Sequence, residues 1–316
     1  KKGELTNALP FAKGEKAWQD SVFQGRRTSP LISTGKVPEG TFIRLHEDSG
    51  HQGRARLLKA DGLTRTLLST INTAENPTAL VARRELQSWR LLQLEPSRLR
   101  APDDMKAKDS LSPDGQGLPA TLHRLLRSTD DPERIRVRLS NRLRELLEDV
   151  HDVRVDEDEK RELLTLLVKT SDELEFRARD LSDGTLRFLA LAVLERDPSW
   201  SGLVCMEEPE NGIHPTRIPA ILGLLRDLAV DTGHPVDESN PLRQVIINTH
   251  SPEVVALVPE GCLLFADNGP PLPLGAPSLR FRPLQGTWRS DVEPVPKGLV
   301  LQFLNALPAA VQRVEE

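Results

Sequence analysis

The sequence predicts an α/β fold in which a parallel sheet with flanking helices is preceded by a mixed α/β insert. Three observations predict it. From Leu181 onward, apolar runs alternate with helical patterns. Just before that point, residues 118–148 carry two helical patterns, and residues 151–180 read as short strands. Apolar strands separated by helices signify a parallel sheet covered on both faces.

The elements follow in chain order. The opening "KKGELTNALPFAKGEKAWQD" is polar and patternless and does not read as the natural start of a domain. Residues 1–38 give weak signals and include the turn-rich "SPLISTGKVPEG". "TFIRLHEDSGHQGRARLL" reads as a hairpin, two short strands around Asp48-Ser49-Gly50. In "NPTALVARRELQSWRLLQL" the leucines 80, 86, 91 and 92 fall near helical spacing, so a helix is expected up to Glu95-Pro96. "APDDMKAKDSLSPDGQG" is a loop. "LPATLHRLLRS" and "ERIRVRLSNRLRELLEDV" are helices, the second begun by Asp130-Asp131-Pro132. "VHDVRV", "LLTLLVK" and "LEFRARD" are short strands. Then come the helix "GTLRFLALAVLER", the strand "GLVCM", the helix "TRIPAILGLLRDLAV" and two more buried strands, "QVIINTH" and "CLLF". The tail is Pro-rich and ends in a short helix, "KGLVLQFLNAL". The expected divisions are 1–117, 118–180 (the insert), 181–285 (the core lobe) and 286–316 (the tail).

Bulk composition bounds the function. Net charge is −5, so no overall basic field advertises nucleic acid. Cys205 and Cys262 sit among apolar residues and read as small buried hydrophobes of a cytoplasmic protein. No apolar run is long enough to span a membrane, and no signal peptide opens the chain. His46 and His51 flank the hairpin turn without a cysteine partner set, so no zinc site is expected.

The chemistry gathers at the strand ends. In an open parallel sheet, ligands lie outside the carboxyl ends of the strands. Glu207 and Glu208 close "LVCMEEPENGIHP", and His250 closes "QVIINTH". In phosphoryl transfer one acid holds magnesium, often through water, and a second orients or deprotonates the attacking water. A histidine near the γ-phosphate senses it by a hydrogen bond. Adjacent strand residues point to opposite faces, so both acids serve one site only if the strand ends between them. Upstream, "LSDGT" opens a helix whose free N–H groups and positive dipole end suit an anion. Taken singly, that pentapeptide is no more than a good N-cap.

In the order LSDGT, then EEPENGIHP, then NTHSP, the stretch Leu181–Val258 resembles the ATP-binding-cassette ATPases, and within them the SMC/RecF/OLD-like branch often filed as AAA-type ATPases. "GLPATLHRLL" and "EFRARDLSDGT" resemble the insert that this branch carries before its signature. The resemblance implies a P-loop NTPase fold of the ABC ATPase-head kind, with ATP and Mg2+ as cofactors. By it, Leu181, Ser182, Asp183, Gly184 and Thr185 form the signature that contacts the ATP of a partner subunit. Glu207 takes the magnesium place, with Glu where Asp is commoner, and Glu208 is the catalytic carboxylate. Glu210 and His214, within "PENGIHP", take the place of the D-loop and contribute to the nucleotide site. His250 is the switch histidine. A head-to-tail homodimer with ATP between its subunits follows.

The family also needs a phosphate loop, GxxxxGK[ST]. "PLISTGKV" is a decoy: Pro30 stands where the first Gly belongs, Val37 replaces the hydroxyl residue, and Pro38 discourages the helix. A Q-loop glutamine cannot be placed either. Three explanations stand: the chain is part of a longer protein, the lobe comes from another polypeptide, or the chain dimerises without hydrolysing. We favour the first.

Candidate partners besides a second copy are DNA and a nuclease or other effector protein; a membrane is not expected. Two basic runs bear on DNA. One carries Arg83, Arg84, Arg90, Arg98 and Arg100 with Trp89, the other Arg134, Arg136, Arg138, Arg142 and Arg144. Arginines beside an aromatic suit phosphates and bases, but Glu85, Glu133 and Glu145 nearby suit a solvated helix face equally. The leading function is an ATPase driving a DNA-repair or anti-phage defence assembly. The alternative is a nucleotide-sensing module that regulates an effector without turnover.

Overall fold

The computed structural model describes residues 31–38, 40–46, 55–72, 76–270, 277–287 and 292–305. The chain divides into two compact units, the first holding residues 1–90, 200–204 and 230–244 and the second the remainder.

In the first unit, β1 (Ile32–Val37), β2 (Gly40–His46) and β3 (Ala55–Lys59) form an antiparallel sheet in that order. The predicted hairpin is therefore present as β2–β3, while its Asp48-Ser49-Gly50 turn lies outside the described residues. β1 was not expected. It carries Gly35 and Lys36 opposite Phe42 and Thr41, inside a paired strand, which is no geometry for a phosphate loop. Two helices follow, α1 (Leu67–Thr70) and α2 (Pro77–Ser88). Leu45, Leu67, Ile71 and Ala79 make a small core with Ile43 and Leu58 against it.

α2 stops at Ser88, short of the expected Glu95. Trp89 is extended, and Arg90–Leu92 forms β4. Leu91 and Leu92 matched a helical period, but ladder pairing and the burial of Leu92 decide the outcome.

The second unit opens with the short helix α3 (Pro96–Leu99) and β5 (Asp103–Asp104). α4 (Leu118–Arg127) and α5 (Pro132–Arg144) then pack on an antiparallel sheet made of β5, β6 (Val150–Asp158), β7 (Leu163–Thr170) and β8 (Glu175–Arg177). The Asp131 side chain caps α5 by accepting from the Arg134 N–H at 3.0 Å. Asp103 is buried and accepts from the Gly117 and Ala120 N–H groups at 3.3 and 3.0 Å. Burial raises its pKa, and the two backbone bonds counter that in part.

The second basic run is mostly spoken for by this packing. Arg136 pairs with Asp152 and Glu133, and Arg144 donates to the Val150 carbonyl. Arg142 reaches Glu195, Asp227 and Glu145, tying α5 to the two helices that follow. Burial works against its charge, and the three carboxylates outweigh that and raise its pKa. In the first run, Arg83 donates to Ile71 O and Arg98 pairs with Asp114.

α6 (Asp183–Arg196) is apolar nearly all round, and Leu186 and Phe188 through Leu194 are all buried. A helix of that kind belongs in an interior. β9 (Gly202–Glu207), α7 (Ile218–Leu228) and β10 (Arg243–Asn248) follow, and the sheet order is β10–β9–β4. β9 and β10 run parallel. Gly202 N donates to Leu242 O at the start and Glu208 N to Asn248 O at the end, with the same offset. β10 is not buried throughout as its sequence suggested: Ile246 is 57% exposed.

After α8 (Pro252–Leu257), the predicted third parallel strand proves different. β11 (Leu264–Asn268) pairs antiparallel with β12 (Leu279–Pro283) in a separate two-stranded sheet, and its Leu264 is exposed. β12 had no sequence expectation because "LRFRP" alternates over only five residues. α9 (Lys297–Asn305) closes a local core of Val255, Leu284, Val295 and Val300, with Phe303 edge-on to Phe265 at 5.7 Å. The cysteines are less buried than expected: Cys205 is half-buried and Cys262 is exposed. Among the described residues no helix is long and apolar enough to cross a membrane.

Candidate functional site

β9 carries its buried run Leu203-Val204 to Met206 and ends on an exposed Glu207. The strand then breaks at Glu208 itself, whose φ is 41°. A left-handed glutamate costs on the order of 1–3 kcal/mol and persists only when its surroundings hold it. They do: Glu208 N donates to both the backbone O and the side-chain Oδ1 of Asn248, at 3.1 and 3.3 Å. A tight turn continues with Asn211 N to Glu208 O at 2.9 Å and Ile213 N to Glu210 O at 3.0 Å. The left-handed residue cancels the strand alternation, so the two adjacent carboxylates border one cleft.

That cleft has a volume of about 460 Å³ and sits at the carboxyl ends of β9 and β10. Glu207, Glu208, Asn211, Asn248 and His250 line it from the strand ends, and Arg187 and Leu191 from α6. Gln93, the first residue after β4, and Glu95 extend the polar wall. Arg187 spans two of these segments, donating from Nε to Leu94 O at 3.3 Å and from Nη1 to Asn211 O at 3.1 Å.

Sequence reasoning missed Gln93. It follows a three-residue strand that was hidden in the leucine spacing of the preceding helix. Asn248 stood in plain view in "QVIINTH" and drew no assignment because its role is to accept a backbone N–H, which no pattern reveals. Arg187 lay inside a helix and was read only as part of it.

Leu181–Thr185, expected as the signature, lie elsewhere: none of them borders the cleft. Ser182 caps α6, accepting from Thr185 N at 3.2 Å, and its Oγ lies 2.8 Å from Thr185 Oγ1. Arg100 pairs with Asp183 and donates to Leu181 O at 3.2 Å, so one arginine of the first basic run anchors this turn. Ser182 and Asp183 are exposed, while Gly184 and Thr185 are buried. Gly184 is buried against the backbone of Gly212, itself at φ +83°. A Cβ at position 184 would overlap the Gly212 carbonyl oxygen and lie 2.7 Å from its carbon. The first turn of α6 therefore seats directly on the loop that begins with Glu208.

Glu210 and His214 also stand off the cleft. Glu210 is buried, and its Oε1 accepts from the Thr249 hydroxyl. His214 is exposed and caps a 3-10 turn, with Nδ1 2.8 Å from Thr216 Oγ1 and accepting from Thr216 N.

The donor set suits magnesium in kind. Magnesium takes one or two carboxylates, substrate phosphates and waters rather than an all-protein cage. Glu207 and Glu208, which line one cleft, are such a pair of carboxylates. No cluster of three or more His, Cys, Asp or Glu residues fit for a metal occurs among the described residues.

Comparison with known proteins places the chain. It is similar to the SMC head domain from Thermotoga maritima, at 10% identity over 80% of this chain and 72% of that one, with a TM-score of 0.33. It is similar to an SmcHead bound to the C-winged helix domain of ScpA, at 13% identity over 78% of this chain and 68% of that one, with a TM-score of 0.40. It is also similar to an Smc head domain with coiled coil and joint from Pyrococcus yayanosii, at 12% identity and a TM-score of 0.34, covering 58% of this chain and only 29% of that one. A search of curated proteins returns no match. Membership rests on a family model rather than on these low TM-scores. That model matches residues 11–256 of the 316, and the chain belongs to the family described as "AAA domain, putative AbiEii toxin, Type IV TA system".

Proposed function

We propose that the chain is the ATP-hydrolysing part of an ABC/SMC-like ATPase that dimerises head-to-tail around ATP and drives a DNA-repair or anti-phage defence assembly. The observation that carries the reading is the left-handed Glu208, which brings Glu207 and Glu208 to one cleft with Gln93 and His250. Bound magnesium would neutralise charge developing on the phosphates, and Glu207 would hold it. Glu208 would orient and deprotonate the attacking water. Gln93 and His250 would orient groups at the transferred phosphate. Residues 181–285 form the core lobe in this reading, and residues 118–180 its insert.

Ser182 and Asp183 support the dimer. They are exposed, do not line the chain's own cleft and start a helix, which suits contact with another molecule. The family description names a toxin of a type IV system, which suits an effector partner as well as DNA. A second reading has a specific observation behind it: no GxxxxGK[ST] loop occurs in the sequence. On that reading the chain senses nucleotide and regulates an effector without turnover.

The two readings part on Glu208→Gln in the full-length protein. The ATPase reading expects turnover to fall by roughly 10²-fold or more, with ATP trapped and the dimer prolonged. Unchanged turnover and dimer lifetime would eliminate it.

A further inference from the structure

The site holds a hydroxyl that the proposed chemistry does not use. Thr249 lies between Asn248 and His250, half-buried at the end of β10. Its Oγ1 donates to the Glu210 carboxylate and accepts from Ser251 N at 3.0 Å. One hydroxyl thus bridges the loop that begins with Glu208 and the residue that follows His250. Ser251 in turn caps α8 through Val254 N at 3.3 Å, so both sides of His250 are fixed. Glu210 is 9% exposed, and its Oε2 has no hydrogen-bond partner among the described residues. A buried carboxylate so sparsely served depends on the bond it has.

We infer that Thr249 and Glu210 form a clamp that sets His250 against Glu208 in the proposed ATPase, an inference that rests on the reading above. Neither residue lines the cleft. Both act through others: Glu210 holds the carboxylate-bearing turn, and Thr249 holds the histidine. Asn248 adds the second rung of the same ladder through its two bonds to Glu208 N. Two adjacent residues on one strand end therefore fix two adjacent turns on its neighbour. The clamp accounts for Glu210 without placing it on the nucleotide.

The experiment compares wild type, Thr249→Val, Thr249→Ser and Glu208→Gln as full-length protein. Each is assayed for steady-state ATP turnover, and thermal unfolding is measured alongside. Valine keeps the volume and loses both bonds, while serine keeps both. A misplacement near 1 Å costs up to ~10²-fold in rate. Thr249→Val is expected to lower kcat by roughly 10- to 100-fold with KM for ATP within about twofold, because removal of a group that orients the transition state does not weaken ground-state binding. Thr249→Ser is expected to restore kcat to within about threefold of wild type. The clamp is overturned if valine and serine variants turn over alike, or if the loss in kcat only mirrors a lost folded fraction. Wild type active, Glu208→Gln inactive and Thr249→Val normal would sink the clamp and leave the ATPase reading standing. A wild type without turnover removes both.

Discussion

Gly184→Ala sets two physical effects against each other at one atom. Helix propensity alone predicts stabilisation, since alanine exceeds glycine by about 1 kcal/mol in a helix interior. The structure predicts the reverse. The new Cβ would lie 2.7 Å from the Gly212 carbonyl carbon, about 0.8 Å short of the ~3.5 Å at which carbons pack. Both sides are backbone, so no side chain can rotate away. Overpacking of this sort costs about 1–3 kcal/mol, and the net loss is roughly 0–2 kcal/mol once propensity is subtracted. The strain also pushes on the Glu208–Gly212 turn, so ATP turnover should fall by roughly 10-fold or more. Gly223 is the control: it lies inside α7 with nothing within 4 Å of a built Cβ. Gly223→Ala should stabilise by about 0.4–1 kcal/mol. Urea denaturation of the three proteins decides. A Gly184→Ala variant as stable as the control and as active as wild type would refute the packing of the first turn of α6 on the loop that begins with Glu208.

Two further expectations concern the second unit. Arg142→Ala removes the partner of Glu195, Asp227 and Glu145 at a largely buried position; it should cost about 3 kcal/mol, whereas the exposed Arg134→Ala should stay within about 0.5 kcal/mol in the same denaturation assay. Asp103 has a folded pKa above its unfolded value through burial, so the native state holds the proton more tightly than the unfolded chain does. Its contribution is full below the unfolded value near ~4 and is lost as pH rises through the folded value. The stability of wild type relative to Asp103→Asn should therefore fall as pH rises through the folded value and then level off; a difference that rises with pH would contradict it.

The sequence made the back half of the molecule legible and the front half much less so. α6, β9 and α7 declare themselves because their apolar residues are set by burial on a single period, and local pattern and tertiary packing agree. β4 does not, because three residues are too few to show a period. The sheet then overrides the helical spacing of Leu91 and Leu92 and places Gln93 at the cleft. β11 reads as a buried parallel strand from "CLLF", but its partner is β12, which only the folded chain reveals. The candidate site shows the same divide. Glu207, Glu208 and His250 were visible as strand-end residues. The device that makes the acids share a cleft was not: a positive φ at Glu208 held by Asn248 is a property of the backbone. Glu210 reads as a site residue through the D-loop-like "PENGIHP", and in the fold it is buried with its carboxylate accepting from Thr249.

The most direct measurement of the central claim is ATP turnover of the full-length protein against magnesium concentration, for wild type, Glu207→Gln and Glu208→Gln together. Two carboxylates with separate roles in one cleft should give two signatures. Glu207→Gln should shift the half-saturating magnesium upward by roughly 10-fold or more while turnover at saturation is partly recovered. Glu208→Gln should leave the magnesium midpoint of ATP binding in place and lower kcat by roughly 10²-fold or more. Identical effects from the two substitutions, or none from either, would contradict the assignment of both glutamates to one hydrolytic site.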